Sequence, residues 1–485
     1  MRLLSTLRDI FWGSTTTAPA IGSLASTQAL LEDRNRIERI QEAWRVYESG
    51  GRKPLAVVAG QPDDNTVVNY CRVMVDMGAH FLFSKGVEFD VVGDRTPDEQ
   101  WLADAWAANN GELLLHDLAI NGGVCGDAFV KIVRDPTREY PRLINLDPAN
   151  VRALWDPDDI DHVVEYRIEW LGIDPATGTS ILRRQTVSEQ APTWLITDWI
   201  MTQSDVDYRE IGREVWPYKW CPIFSTKNLP APNEFYGTPD LTQDVIYLND
   251  RINFIASNTT RIIRHHAHPK TWGRGFSNQQ VDMSPETITI IHSQDGMLQN
   301  LEMQSDLQSS LNWYKYLVSA MHAVARVPEV ATGRVESLGQ LSGVALEMLY
   351  GPIVEKTRTK RMLYGKMLNS INEAMLEMHG TSGQCTCRWA DPWPVDNLTQ
   401  AQIGLLYDRL GVSRHSIMDM LGFDYAREER QRATEQPVEG GVEHNADTGG
   451  VASVRSAIAD LRPSRVARDT FTGASDSGSM PNGGQ

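Results

Sequence analysis

Residues 241–262 read LTQDVIYLNDRINFIASNTTRI, and residues 307–325 read LQSSLNWYKYLVSAMHAVA. In the first stretch Leu241, Val245, Leu248, Ile252, Ile255, Thr259 and Ile262 recur in alternating steps of four and three. That spacing predicts a helix of roughly six turns with one narrow apolar seam, the pattern of a helix that packs along another helix. Thr238-Pro239 starts it. The second stretch repeats the step with Leu307, Leu311, Tyr314, Val318, Met321 and Ala325, opened by a Ser305/Gln308 capping box and ended by Val327-Pro328. Between them residues 270–304 form an irregular insertion containing Gly and Ser, with a short strand predicted at 287–292. The chain therefore runs out along one seamed helix, crosses a small insertion and returns along another.

Downstream, residues 329–343 (EVATGRVESLGQLSG) hold Gly333, Gly339 and Gly343 and no helical stripe, which predicts a loop able to change shape. A long helix follows to Gly380, with Leu346, Leu349, Ile353, Leu363, Met367, Ile371, Met375 and Met378 along one side. Pro352 should kink it, since proline removes a backbone donor and crowds the preceding turn. A strand at 387–389 and short helices at 399–410 and 413–421 come next, and residues 431–485 are Gly-, Ser-, Asp- and Arg-rich and aperiodic, which predicts a disordered tail.

Upstream, between about 125 and 228, the period becomes two. Residues 164–170 (VEYRIEW) alternate as a half-buried strand, Asp174-Pro175-Ala176-Thr177-Gly178 supplies a turn, and further strands fall at 181–187 and 194–199. Ahead of this sheet lie three predicted helices: one capped by Thr27 and stopped at Gly50-Gly51, one over 65–85, and one opened by a Thr96-Pro97-Asp98-Glu99 capping box. Residues 1–24 read as a loose arm. Helices and strands are segregated, so the fold class is α+β.

Composition narrows the function. The 485 residues are 41% hydrophobic and 22% charged, and no run of 18 apolar residues exists, which speaks against a membrane protein. The first residues carry Arg2, Arg8 and Asp9 and lack a secretory core, and five cysteines are an odd, sparse set, which together predict synthesis in a reducing cytoplasm. With 46 basic against 63 acidic residues the net charge is −17, so the surface as a whole repels nucleic acid and any contact with DNA must be local or geometric. Residues 251–275 are the exception: Arg251, Arg261, Arg264, Lys270 and Arg274 stand there with no Asp or Glu, a local +5 suited to a partner, to DNA backbone, or to an acidic neighbouring subunit.

No constellation rises to a catalytic site. The glycine-rich loop has no Lys and follows no strand, so it is not a phosphate-binding loop. His265, His266 and His268 could serve a metal-dependent hydrolase or nuclease, yet no Cys, Asp or Glu within ten residues C-terminal to them completes a shell. Cys385 and Cys387 with His379 make half of a zinc site; the second half is missing. Asp156, Asp158, Asp159 and Asp161 open like a calcium loop, but Asp161 stands where its Gly belongs and Arg167 where its Glu belongs, so a polar turn is the better reading. Cys125 lacks the surroundings of a nucleophile, and the helix pair at 399–421 offers only Arg414 and His415 to DNA, against Asp419. No metal, cofactor or catalytic residue is assigned.

The order of these parts, together with Gly122-Gly123-Val124-Cys125-Gly126-Asp127-Ala128-Phe129, Leu146-Asp147-Pro148, Phe235-Tyr236-Gly237, Val327-Pro328-Glu329 and Ser342-Gly343-Val344-Ala345-Leu346, resembles the portal proteins of long-tailed bacteriophages. The resemblance covers roughly residues 25–425. It implies a portal-type fold: an arm at 1–24, an α/β wing at 25–237, stem helices at 238–264 and 305–328, a clip at 265–304, a tunnel loop at 329–343, a kinked helix returning to the wing at 344–395, a helical crown at 396–430 and a tail at 431–485. It further implies a homo-oligomeric ring of about twelve copies at one capsid vertex of the virion, where double-stranded DNA passes through the channel. Terminase large subunit, a head-tail adaptor, and major capsid and scaffolding proteins are the implied partners. In that reading Arg334, Ser337 and Gln340 approach DNA from the tunnel loop, Arg264, Lys270 and Arg274 face the docking partners, and the two seams await cover from outside the subunit.

Overall fold

The computed structural model describes residues 24–432 except 58, 61, 94, 175–176, 203–204, 268–270, 275–296, 301–306, 333–342, 391–396, 422–424, 426–427 and 430–431. The chain divides into two units, before and after Asp396, and each is described by itself.

Helix α1, Leu24–Ser49, starts ahead of Thr27, which therefore lies inside the helix instead of capping it. It stops where expected: Gly50 has a φ of +73°, a conformation that side chains disfavour. Helix α2 covers only Tyr70–Phe83, capped by Asn69, whose side chain accepts from the Arg72 N–H. Strand β1, Val87–Val91, precedes helix α3, Thr96–Ala108, which begins where predicted but with Arg95 as its cap. The Thr96/Glu99 box does not form; Glu99 reaches back instead to accept from the Val91 N–H at 3.2 Å. Helix α4, Gly111–Cys125, is buried over its second half, and its short polar stripe of Glu112, His116 and Asp117 is blurred in the sequence by the exposed Leu113.

Strand β2, Asp127–Val133, is the middle of a three-stranded antiparallel sheet, flanked by β3, Arg142–Leu146, and by β9, Ile223–Lys227. Between β3 and β9 the chain makes a five-stranded antiparallel meander: β4 (Val151–Asp156), β5 (Asp159–Ile173), β6 (Ser180–Gln190), β7 (Thr193–Met201) and β8 (Arg209–Trp216). Each predicted strand falls inside one of these, and β5 and β6 pair in unbroken register from Glu165↔Ser188 to Ile173↔Ser180 across the predicted turn. Phe129, Val151, Tyr166, Val187, Trp194 and Trp216 form a core of their own within these sheets.

Helix α5, Gln243–Ala267, and helix α6, Leu307–Ala325, are the two seamed helices, and they pack along each other. Between them strands β10 (Thr271–Arg274) and β11 (Met297–Asn300) pair antiparallel. The strand expected at 287–292 lies outside the described residues. After a short 3-10 turn at Glu329–Thr332 comes helix α7, Gly343–His379, which continues as one helix through Pro352. Strand β12, Cys385–Trp389, then pairs with β1. The fold is thus mixed helix and sheet, with the main core gathered from α2, α4, α7 and the neighbouring ends of α5 and α6. In the second unit helices α8 (Asn397–Arg409) and α9 (Arg414–Met420) pack on each other. The predicted tail falls outside the described residues.

Residues 65–69 are irregular, not helical as predicted, because α5 supplies hydrogen bonds to the N–H groups of Thr66 and Val68. Ser257 Oγ accepts from the Thr66 N–H at 2.9 Å, Asn253 Oδ1 from Val68 at 2.8 Å and Asn249 Oδ1 from Tyr70 at 3.3 Å. The amides of Asn249 and Asn253 both donate to Gly50 O, at 2.8 and 3.0 Å. Four residues of helix advance about 6 Å and two residues of extended chain about 6.6 Å, so a polar residue every fourth position of α5 meets every second residue of the passing segment. Asn249, Asn253 and Ser257 are fully buried in consequence. Asn253→Leu is expected to cost about 1–3 kcal/mol in denaturant unfolding, by orphaning the Val68 N–H, while Gly50 O keeps its bond from Asn249. Asn258→Ala, off this row, should stay within about 0.5 kcal/mol of the parent.

Candidate functional site

The root of the α5–α6 hairpin is where the chain spends its buried charge. Entry to α5 is fixed first by backbone: Asp240 N and Leu241 N both donate to Gly123 O, at 2.8 and 3.2 Å, and Asn228 N donates to Gly126 O at 2.8 Å. Gly126 has a φ of +97°, and a Cβ there would lie 2.6 Å from Gly237 O. A Cβ on Gly122 would overlap the Tyr364 hydroxyl. The glycines of the 122–126 run are therefore the condition for two backbones and a tyrosine to meet.

Two lysines one turn apart on α7 grip the Asp240 carboxylate. Lys356 Nζ is 2.9 Å and Lys360 Nζ 2.5 Å from its oxygens, with all three side chains essentially out of water. Lys356 also donates to Ala325 O at 3.0 Å, at the C-terminus of α6. One carboxylate faces two ammonium groups, and the carbonyl end of the α6 dipole offsets the surplus cation. Burial alone would raise the Asp240 carboxyl; the two lysines overcome it and hold it at about 2. Burial brings Lys360 down to about 8 against the pull of Asp240. The end of α6 is closed by Arg326 at a φ of +55°, by Val327 N donating to His322 O at 3.1 Å and by His322 Nδ1 donating to Val327 O at 2.7 Å. Start of α5, end of α6 and body of α7 thus meet at one aspartate.

Asp127 sits beside this root. Its Oδ1 accepts from Gly237 N at 2.7 Å, while its Oδ2 is buried with no hydrogen-bond partner among the described residues. Burial pushes its carboxyl up to about 7, opposed by the Gly237 N–H, Arg36 and Lys227.

The residues singled out in the sequence fall elsewhere. Arg264 Nη2 lies 2.7 Å from Asp64, a buried carboxylate that also draws Arg261 at 3.6 Å. Arg274 ends β10 opposite Met297. Lys270, Arg334, Ser337 and Gln340 lie outside the described residues, as does His268; His265 and His266 stand in the last turn of α5. Among the described residues no group of three His, Cys, Asp or Glu could hold a metal ion. Burial pushes both the Cys385 and Cys387 thiols up to about 12, Cys387 donates to Asn369 Oδ1 at 2.9 Å, and His379 stacks on Trp101 at 4.3 Å. The acidic run is a hairpin turn, in which Asp156 and Asp159 accept from the Asp158 and Asp161 N–H groups.

Most of both seams is covered within the subunit, contrary to expectation, while Leu311 stays 44% exposed. Val245, Ile252, Val318 and Met321 are buried in the main core, with Leu248 and Ile255 packed against it. Among the side chains that α5 and α6 present to water are four aromatics: Tyr247 and Phe254 on α5, beside a groove of about 620 Å³ lined by Arg52, Pro54, Asp250 and Arg251, and Trp313 and Tyr316 on α6.

A family model described as phage portal protein, SPP1 Gp6-like, matches residues 31–437. The chain belongs to this family. Portal proteins are structural components of the capsid, not enzymes, in keeping with a site built of buried locks. No curated protein matches. Three solved structures are similar in outline. The neck of an empty GTA particle computed with C6 symmetry shares 13% identity over 78% of this chain and 98% of that one, with a TM-score of 0.47. The virion of a native gene transfer agent particle shares 13% over 86% and 99%, with a TM-score of 0.44. The neck of the native particle computed with C12 symmetry shares 14% over 73% and 88%, with a TM-score of 0.42. The family match alone carries the assignment.

Asp240→Asn in this portal-family chain should lower unfolding stability by about 3–5 kcal/mol, since it strands two buried ammonium groups. Lys360→Met, which leaves a one-to-one pair with Lys356, should cost clearly less in the same denaturant series. Asp127 has its carboxyl raised on folding, so the folded state holds a proton that the unfolded chain has released, and its ionisation removes stability as pH climbs from about 4 to about 7. Asp127→Asn keeps an acceptor for Gly237 N; it should raise the melting temperature by a few degrees at pH 8 and change it little at pH 4.

Proposed function

We propose that the chain assembles as a ring of about twelve copies at one vertex of a phage-type capsid, inside the virion, and forms the channel through which double-stranded DNA is packaged and ejected. The observation that carries this reading is the portal-family match over residues 31–437. Residues 25–237 and part of 344–395 serve as wing, 238–264 and 305–328 as stem, 265–304 as clip, 329–343 as tunnel loop, and 396–430 as crown. The buried root suits such a part: a hairpin that bounds a channel must keep its angle while DNA is driven past it, and the Asp240 node ties both of its helices to α7.

Charge supports the same reading. Twelve copies at −17 each give a ring of −204, a wall that favours passage over adhesion. Arg334, Ser337 and Gln340 are the tunnel-loop groups assigned to DNA. Arg264, Lys270 and Arg274 are the residues assigned to the terminase large subunit and the head-tail adaptor, Arg264 being oriented by its pair with Asp64. Major capsid and scaffolding proteins are assigned to the outer wing. Among the described residues no helix is long and apolar enough to cross a membrane.

Light scattering on the purified chain tests this. Twelve subunits of 54.4 kDa give about 650 kDa, and negative-stain images should show a ring with a central hole. A monodisperse monomer or dimer that persists at high concentration overturns the reading.

A further inference from the structure

Since most of both seams is covered from within, a neighbouring copy has chiefly the other faces of the hairpin to meet. Helix α5 has three faces. One packs on α6 and the core, one lies under residues 62–70, and the third carries Tyr247 (63% exposed), Arg251 and Phe254 (36% exposed). With Arg52 they line the groove of about 620 Å³. On α6, Trp313 and Tyr316 stand one turn apart, 51% and 61% exposed, with rings stacked at 5.2 Å and 16°. They point away from the buried side of α6, marked by Val318 and Met321.

We propose that the stacked Trp313–Tyr316 pair of one copy seats in the Arg52–Tyr247–Arg251–Phe254 groove of the next. This rests on the ring reading above and names the surfaces that close it. Single exposed apolar residues need no explanation, but here a rigid convex aromatic pair and a concave arginine-bearing groove occur on the same hairpin. Arg251 makes no ion pair among the described residues, and a guanidinium laid on an indole or phenol face gains from stacking as well as charge. Copies that carry −17 each must also meet where the local charge does not repel. Helix α6 has no carboxylate at all, and the groove sets Arg52 and Arg251 against Asp250 alone. The two patches differ, so the contact is heterologous: every copy gives one and receives one, and rotation repeats it until the ring closes.

Two variants test this, Trp313→Ala/Tyr316→Ala and Tyr247→Ala/Phe254→Ala, in the full chain. All four side chains are exposed or partly so, and both variants should melt close to the parent. Each alone should show at least a tenfold smaller ring fraction at a concentration where the parent is assembled. Mixed in equal amounts, they retain one good contact between unlike copies, so the mixture should yield a dimer of about 109 kDa, twice 54.4 kDa, and no ring. As an independent readout, Phe254→Cys/Trp313→Cys should crosslink between copies into a ladder under oxidation, whether or not the alanine variants fold well. Variant rings as abundant as the parent's, with no ladder, overturn this assignment while leaving the ring reading intact. A parent chain that never assembles overturns both.

Discussion

One carboxylate shared by two buried lysines is the constraint on which the rest of this structure depends. Asp240 stands where the sheet-bearing part of the chain hands over to α5, and Lys356 and Lys360 reach it from a helix more than a hundred residues later. A buried pair seldom gains much over an apolar substitute, since desolvation takes back most of the Coulomb attraction. Its effect is on geometry: any arrangement that parts Asp240 from the lysines leaves bare charges out of water, so competing packings of the hairpin root are strongly disfavoured. Lys356 extends the lock to the last carbonyl of α6, which places the segment leading to residue 329 on the same anchor.

The same logic sorts the three faces of α5. A helix that were apolar around its whole surface would slide and aggregate; this one spends one face on a seam, one on a row of Asn, Asn and Ser matched to the passing segment, and one on water. The polar row depends on a coincidence of rise between helix and passing chain, and so fixes register along the axis while the Asp240 node fixes the base. Together they leave the hairpin little freedom to tilt. For a protein of the portal family, such stiffness is the functional property that the residues can supply.

Much of this was legible in the sequence because it is written in local periodicity. The four-three step of the seams, the alternation of 164–170 and the turn after Asp174 each depend on neighbours a few residues away, and each appears where the pattern puts it. Helix α4 was not legible, because its second half is buried nearly all round and Leu113 interrupts the short exposed stripe of Glu112, His116 and Asp117. Residues 65–69 were misread as helix because their partners lie more than 180 residues away. Lys356 and Lys360 are spaced like any solvated pair on a helix, and Asp240 like any first-turn acid; only the fold turns them inward. The basic residues of 251–275 showed the opposite failure, where a charge anomaly suggested a free surface and Asp64 proved to hold part of it. The tunnel-loop residues Arg334, Ser337 and Gln340 lie outside the described residues and stay with the proposal.

If Asp240 locks the base of the hairpin, the root opens only when the whole fold does. Hydrogen exchange of the native chain, followed by mass spectrometry with fragments covering 238–245, 321–329 and 353–364, measures this directly. The account predicts that the amides of Asp240, Leu241 and Val327 exchange as slowly as those of central strand β2, with the free energy of global unfolding. Exchange at these amides orders of magnitude faster than in β2, with α5 and α6 opening while the sheets stay closed, would contradict it.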